Sequence, residues 1–356
     1  MRVLKFGGSS LADYACLQQV AQLVKEELRD EMLLVLSAPG GMTDSLVALA
    51  SAAEQGQDFS ELWQALVARC EQLKAAVEAG FGQVASWPDL SELKNKLDGV
   101  ALLKCCPDQV RAYAISFGER VSVALMECML KESNARYLEA TDCIASVGGY
   151  IDAEADLAAS KLRFQAALKA APSTIYIMPG FTAANEQGEL TTLGRNGSDY
   201  SAAIAAACLE AEVCQIWTDV DGVYNADPRY IKKASKVDSL SYKEAMELSY
   251  FGAKVLHPKT ILPCAKAGVP CEIKNTHNPR AEGSVISNDS VSNDPVKALS
   301  SLQNLAMLTV SGPGMKGKVG MASKVFNALA HDNVSIVLIT QSSCEFSISF
   351  CVHESC

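Results

Sequence analysis

The sequence predicts an α/β fold with a mostly parallel open sheet, followed by a small β-α-β-β module. Three observations carry this. Strand, glycine turn and amphipathic helix alternate from the first residues. The same rhythm returns beyond residue 136. Near residue 280 the composition shifts to Asn, Ser, Pro, Gly and Asp before four further short elements. Alternating strands and helices place helices on the faces of a parallel sheet, and 356 residues suffice for one large domain and a small one.

In chain order, Val3 to Phe6 is a short apolar strand stopped by Gly7-Gly8. Leu11, Ala15, Leu17, Val20, Ala21, Val24 and Leu28 then recur at helical spacing. Met32 to Leu36 is a second buried-strand run, halted by Ser37-Ala38-Pro39-Gly40-Gly41, with a helix expected from Asp44. Residues 60 to 132 read as a helical excursion with breaks near Gly80 to Gly82, at Pro88 and at Pro107, which suits the start of a helix. Strand signals return at Arg136 to Glu139, Thr174 to Met178 and Val213 to Thr218, with a helix from about Ala153 to Ala170. Tyr242 to Phe251 and Thr260 to Ala267 read as helices, and Pro270 to Lys274 as a strand. His277 to Asp294 has the composition of a linker. Beyond it, Leu305 to Val310 and Val334 to Thr340 read as strands around a helix over Val319 to Leu329. Phe346, Ile348, Phe350 and Val352 alternate on one face of a last strand.

Composition excludes several classes. Forty-one acidic residues against thirty-one Lys plus Arg leave a net charge of −10, which repels phosphate backbones and anionic membranes. Nucleic-acid and membrane partners are therefore not expected, and any phosphate must be bound locally. The thirteen cysteines are odd in number, irregularly placed and partly within apolar helical stretches, so they read as reduced thiols of a cytoplasmic protein. No C-x-x-C pair and no His pair at metal-ligand spacing occurs, so no protein metal site is expected. The amino terminus lacks the apolar core of a signal peptide, and no stretch approaches eighteen apolar residues.

Several constellations have the makings of chemistry. Lys5-Phe6-Gly7-Gly8-Ser9-Ser10 puts a lysine at a strand end before two glycines and a helix start, which suits a polyphosphate. The alternative is a plain turn with a solvated lysine. Gly194-Arg195-Asn196-Gly197-Ser198-Asp199 combines a cation, an anion and a helix start. Ser198 or Asp199 could merely cap that helix, but an arginine beside exposed N–H groups also suits a substrate carboxylate. Thr218-Asp219-Val220-Asp221-Gly222-Val223-Tyr224, with Asp227-Pro228-Arg229 after it, lies at the carboxyl end of a strand, where open sheets bind ligands. Glu119 sits inside a helix beside Gly118, which suggests the close approach of another segment. Lys254 falls where a helix ends. Gly312-Pro313-Gly314-Met315-Lys316-Gly317 fits G-x-G-x-x-G, but an interposed proline and the missing acidic residue for a ribose argue against a dinucleotide site.

Taken in order, KFGGSS, FGER, GRNGSDYSAA, WTDVDGVYNADPR and FGAKVLHPKT resemble the aspartate kinases of the amino-acid-kinase family. The match is nearest to the kinase portion of bifunctional aspartokinase–homoserine dehydrogenases and spans essentially the whole chain. The resemblance implies an amino-acid-kinase-like open α/β/α sandwich over residues 1–280, a linker over 281–298, and an incomplete ACT regulatory domain (β-α-β-β) over 299–356. It further implies transfer of the γ-phosphoryl of Mg-ATP to the side-chain carboxylate of L-aspartate, giving 4-phospho-L-aspartate, the first step towards lysine, threonine and methionine.

The resemblance assigns Lys5 to the transferring phosphoryl group and Asp199 to organising that lysine. Thr43, Glu119, Phe181, Arg195 and Ser198 fall to aspartate, with Glu119 meeting its ammonium and Arg195 a carboxylate. Lys5, Gly7, Gly8, Ser9, Thr218, Asp219, Tyr224, Arg229 and Lys254 fall to the nucleotide. Ser9 stands where the motif usually has threonine and keeps the hydroxyl. Ile339 and Gln341 match a stretch associated with a feedback amino acid, threonine or lysine, in a family expected to form homo-oligomers when the regulatory region is complete. The ACT-like segment as given is half a module, so its sheet is expected to expose Phe346 and Phe350 and to associate or fray. The rivals are an amino-acid kinase with another acceptor, a non-catalytic ATP and amino-acid sensor and, third, a nicotinamide-dependent dehydrogenase.

Overall fold

The computed structural model describes residues 1–27, 31–250, 257–288, 296–312, 314–315, 317–341 and 347–354. It divides into two compact units, Met1–Leu299 and Ser300–Cys356.

Among the described residues, the first unit is built on an eight-stranded sheet. In spatial order its strands are Ser239–Leu240, Ser284–Ile286, Cys271–Asn275, Cys214–Thr218, Arg2–Phe6, Met32–Leu36, Ile175–Pro179 and Arg136–Tyr137. Every neighbouring pair is parallel except Cys271–Asn275 with Ser284–Ile286. The central strands are nearly continuous apolar runs because both of their faces are covered. Side chains alternate across a strand, so Leu4, Phe6, Leu34 and Leu36 enter the core shared with helices Tyr14–Glu26 and Phe117–Met129. Val3, Leu33 and Val35 enter the opposite core, with Ala202, Ala203, Ala205 and Ala206 of helix Gly197–Cys208. Lys5 shares the parity of Val3, so it projects towards that alanine-rich helix.

The helical excursion comprises Ser60–Phe81, Leu90–Leu103, Asp108–Ile115 and Phe117–Met129, with Pro107 in the N-cap position of the third. Three differences from the sequence reading have physical causes. The helix expected from Ala153 begins at Leu157, because Asp156 caps it by accepting from Ala159 N–H at 3.0 Å. The strand expected through Glu139 closes after Tyr137, and the chain turns into the short helix Ala140–Cys143. The polar stretch read as a linker contributes strand Ser284–Ile286 to the main sheet; Ser284 is buried and its hydroxyl accepts from Val223 N–H and donates to Val237 O. A polar side chain satisfied by backbone groups does not show the apolar alternation that reveals a strand.

The second unit runs Leu305–Ser311, Met321–His331, Ile336–Gln341 and Ser347–His353, an antiparallel three-stranded sheet with the last strand in the middle. Ile348, Phe350 and Val352 are buried against Val325, Phe326 and Leu329 of its helix. The expectation that Phe350 lies exposed is thus corrected, because central placement and the covering helix bury it; Phe346 lies outside the described residues. No described helix is long and apolar enough to cross a membrane.

Candidate active site

Three segments converge at the carboxyl ends of the central strands. The turn after Arg2–Phe6 runs through the short 3-10 helix Gly8–Leu11. The loop Ser37–Gly41 follows Met32–Leu36 and is tied to that turn by Gly40 N–H donating to Gly8 O at 2.9 Å. The third is the turn Gly194–Asn196 into helix Gly197–Cys208. Between them lies a cleft of ≈ 660 Å³. Lys5, Gly8, Thr43, Glu119, Phe181, Arg195, Ser198 and Asp199, eight of the residues singled out from sequence, all border it.

The Lys5 ammonium forms an ion pair with Asp199, and their side chains are only 10% and 15% exposed. Neither Ser198 nor Asp199 serves as the helix cap; Asn196 occupies that position in the left-handed region, with φ 57° and no side-chain cap bond. Asp199 is thereby left to face the lysine. Arg195 is exposed on the cleft wall and makes no ion pair among the described residues. The first two N–H groups of the 3-10 turn, on Gly8 and Ser9, have no acceptor within the turn. Gly7 differs from expectation, because its N–H donates to Trp217 O at 3.1 Å and is not available to a phosphate.

Glu119 is the most unusual group in the cleft. It is 3% exposed, and its Oε2 has no hydrogen-bond partner. Burial pushes its carboxyl up to about 7, against the opposing pull of its own and Ala38's backbone N–H groups and of the charges on Lys5 and Arg120. Gly118 explains how Ala38 comes so close: a Cβ there would sit 2.5 Å from Ala38 Cβ. Gly118→Ala is therefore expected to lower the thermal midpoint, since overpacking costs about 1–3 kcal/mol against the roughly 1 kcal/mol that alanine adds to a helix. A midpoint that rises instead would mean the loop yields without cost.

Phe181 has a left-handed backbone, φ 69°, at the cleft wall. It is held by its N–H donating to Ser201 Oγ at 2.9 Å and by its carbonyl accepting from Leu193 N–H at 2.8 Å. Such strain in a bulky residue persists only where neighbours enforce it. A Cβ on Gly197 would meet the Phe181 ring at 2.5 Å, which accounts for that glycine.

The remaining residues lie elsewhere. Gly7, Ser9, Thr218, Asp219, Tyr224 and Arg229 do not border this cleft. Thr218 and Asp219 cap the strand Cys214–Thr218, where Thr218 Oγ1 donates to Asp219 Oδ1 at 3.1 Å. Tyr224 bridges to Lys236. The Arg229 guanidinium is bound to Asp227, with Nη2 to Oδ2 at 2.5 Å, so a phosphate would have to compete for it. Lys254 lies outside the described residues. Ile339 and Gln341 are on an exposed strand of the second unit.

Sequence reading missed two contributors. The loop Ala38–Gly41 lines the cleft, and Arg69, from the helical excursion, donates to Gly40 O at 2.6 Å and holds that loop in place. Nothing in local spacing connects position 69 to position 40. Burial and the charges of Lys259 and Arg195 lower the pKa of His257, and its Nδ1 accepts from Lys259 N–H at 3.2 Å, capping helix Pro258–Ala267. Among the described residues no cluster of three His, Cys, Asp or Glu side chains is arranged to hold a metal ion.

The amino acid kinase family model matches residues 1–275, and an ACT domain model matches residues 308–356. The bifunctional aspartokinase/homoserine dehydrogenase of Haemophilus influenzae is 44% identical over 372 residues, covering 99% of this chain and 44% of its own length. The chain thus spans less than half of that relative. Lysine-sensitive aspartokinase 3 of Escherichia coli is 33% identical, over 98% of this chain and 77% of its own. The crystal structure of E. coli aspartokinase III with aspartate and ADP, in its R-state, matches with a TM-score of 0.83 at 31% identity, covering 99% of this chain and 78% of that one.

Proposed function

The chain belongs to the amino acid kinase family, and on that premise we propose that it is an aspartate kinase, transferring the γ-phosphoryl of Mg-ATP to the side-chain carboxylate of L-aspartate. The observation that carries this reading is the cleft that joins a largely buried lysine–aspartate pair to an arginine with no ion pair among the described residues and to a buried, half-satisfied glutamate.

A carboxylate oxygen of aspartate attacks the γ-phosphorus, the bond to the β,γ-bridging oxygen breaks, and ADP leaves with that electron pair. The nucleophile is already ionised at neutral pH and no general base is required. Lys5 stabilises the charge on the transferring oxygens, steered by Asp199, while the free N–H groups of the Gly8 turn face the phosphates. Glu119 accepts the substrate ammonium on its unpartnered oxygen, and Arg195 takes the α-carboxylate as a fork. Mg²⁺ enters on the phosphates of ATP as part of the substrate. Thr218, Asp219, Tyr224 and Lys254 belong to the nucleotide side, and Arg229 joins them only by leaving Asp227.

In the second unit, Ile339 and Gln341 sense a feedback amino acid, lysine or threonine. The protein acts in the cytoplasm as a homo-oligomer, in a pathway that consumes the acyl phosphate.

Incubation with Mg-ATP, hydroxylamine and either L-aspartate or L-glutamate tests the reading, because hydroxylamine traps an acyl phosphate as a hydroxamate. Hydroxamate with aspartate and little with glutamate is expected. Saturable ATP binding without hydroxamate would point to a sensor instead. Arg195→Ala is expected to raise the aspartate concentration for half-saturation by about 10- to 100-fold, the loss of a charge-assisted bond of roughly 1.5–3 kcal/mol; an unchanged saturation curve would reject the carboxylate role.

A further inference from the structure

The residue after Glu119 borders a second, separate cavity of ≈ 170 Å³, far smaller than the first cleft. Arg120, Val123, Ala124 and Glu127 form one stripe of helix Phe117–Met129, and Tyr113 and Tyr137 supply aromatic walls. The Arg120 guanidinium stacks 4.4 Å from the Tyr113 ring centroid. Arg120 and Glu127 are both half-buried, and neither forms an ion pair among the described residues. Seven residues of helix hold them about 10 Å apart along the axis, so their helix positions alone do not make them a pair. Partial burial of a charge without a counter-ion is costly, and here two such charges of opposite sign, Arg120 held only by the neutral Tyr113 side chain, line one cavity.

The other acidic groups at this cavity are already engaged. Asp89 Oδ1 accepts from Ser91 N–H at 2.8 Å as a helix cap, and Glu92 pairs with Lys96 at 3.4 Å. Burial pushes the Tyr113 hydroxyl up to about 12, so it remains a neutral hydrogen-bonding group.

We propose that this cavity is a second binding site, for a small zwitterionic α-amino acid, with its carboxylate on the Arg120 fork, its ammonium on Glu127 and its side chain on Val123 and Ala124. A simple carboxylate would leave Glu127 unpaired, and a simple amine would leave Arg120 unpaired. The volume suits a ligand much smaller than a nucleotide. Because Arg120 follows Glu119 directly, a ligand here bears on the same helix that borders the first cleft.

Saturation-transfer NMR on the full chain, without added L-aspartate, which could itself occupy the site, tests this with L-alanine, L-valine and L-threonine as probes. At least one probe is expected to bind saturably, with intermolecular NOEs to the Val123 and Ala124 methyls, and to lose tenfold or more in affinity in both Arg120→Gln and Glu127→Gln. Propionate and propylamine are expected not to bind. The proposal is overturned if no probe binds, if affinity is unchanged in either variant, or if the NOEs arise only from other residues. Should a variant fail to fold, the NOEs in the unmodified protein decide. No turnover is read, so failure here is separable from failure of the kinase reading.

Discussion

Lys5→Ala is expected to lower hydroxamate formation by on the order of 100-fold or more, the loss seen when one preorganised charge donor is removed from a transition state. Aspartate and ATP saturation should change far less, because the developing phosphoryl charge is met mainly in the transition state. The substitution also strands Asp199, 15% exposed, without its cation. Breaking a buried pair from one side costs about 3–5 kcal/mol, so lost activity has to be separated from lost folding. The double variant Lys5→Met/Asp199→Asn removes both charges. It is expected to regain most of the thermal midpoint while remaining inactive. Recovery of turnover in the double variant, or a single variant that fails only in substrate saturation, would remove Lys5 from the transfer step.

Glu119→Gln is expected to weaken aspartate binding by about 100-fold, as a charge-assisted contact in a buried site becomes a neutral one, while stabilising the ligand-free protein above neutral pH. The sign follows from the direction of the shift. Burial raises the folded carboxyl from its ordinary 4.5 to about 7, so the native state holds the proton more tightly than the unfolded chain. Stability is then greatest below the unfolded value, declines as pH rises towards about 7, and levels off beyond it. The full swing is about 3 kcal/mol. Glutamine has no proton to lose, so the variant should lack this slope and melt higher than the parent at pH 8. The aspartate affinity of the parent should rise with pH up to about 7, where Glu119 ionises, and that of the variant should stay flat. Thermal melts from pH 4 to 8, with and without L-aspartate, read both effects, and parallel melting curves for the two proteins would dismiss the shifted carboxyl. Stability sacrificed to keep an unpaired carboxylate ready for a cation is the signature of a binding role.

The α/β class, the alternation of strands and helices and the placement of the glycine turns were legible in the residues, because period-two and helical spacing record which face of each element is buried. The ordered motifs likewise brought Lys5, Glu119, Arg195 and Asp199 into consideration. Strand Ser284–Ile286 was not legible, since its buried serine is satisfied by backbone groups from distant segments. Arg69 was not legible either, because an arginine on a helix has the same local pattern whether it faces water or braces a loop twenty-nine residues away. Nor was the loss of the Gly7 N–H to Trp217 visible in KFGGSS, since the competing acceptor lies on another strand.

The sequence by itself determined the elements, the family resemblance and the inventory of charged groups, all of which depend on neighbours within a few residues. Only the tertiary structure decided which of those groups share a cleft, that Lys5 is paired with Asp199 and Arg229 with Asp227, and that Glu119 is buried with one oxygen unmatched. Pairing and desolvation are set by contacts between segments far apart in the chain, and it is these that fix the charge a side chain carries and what it can bind.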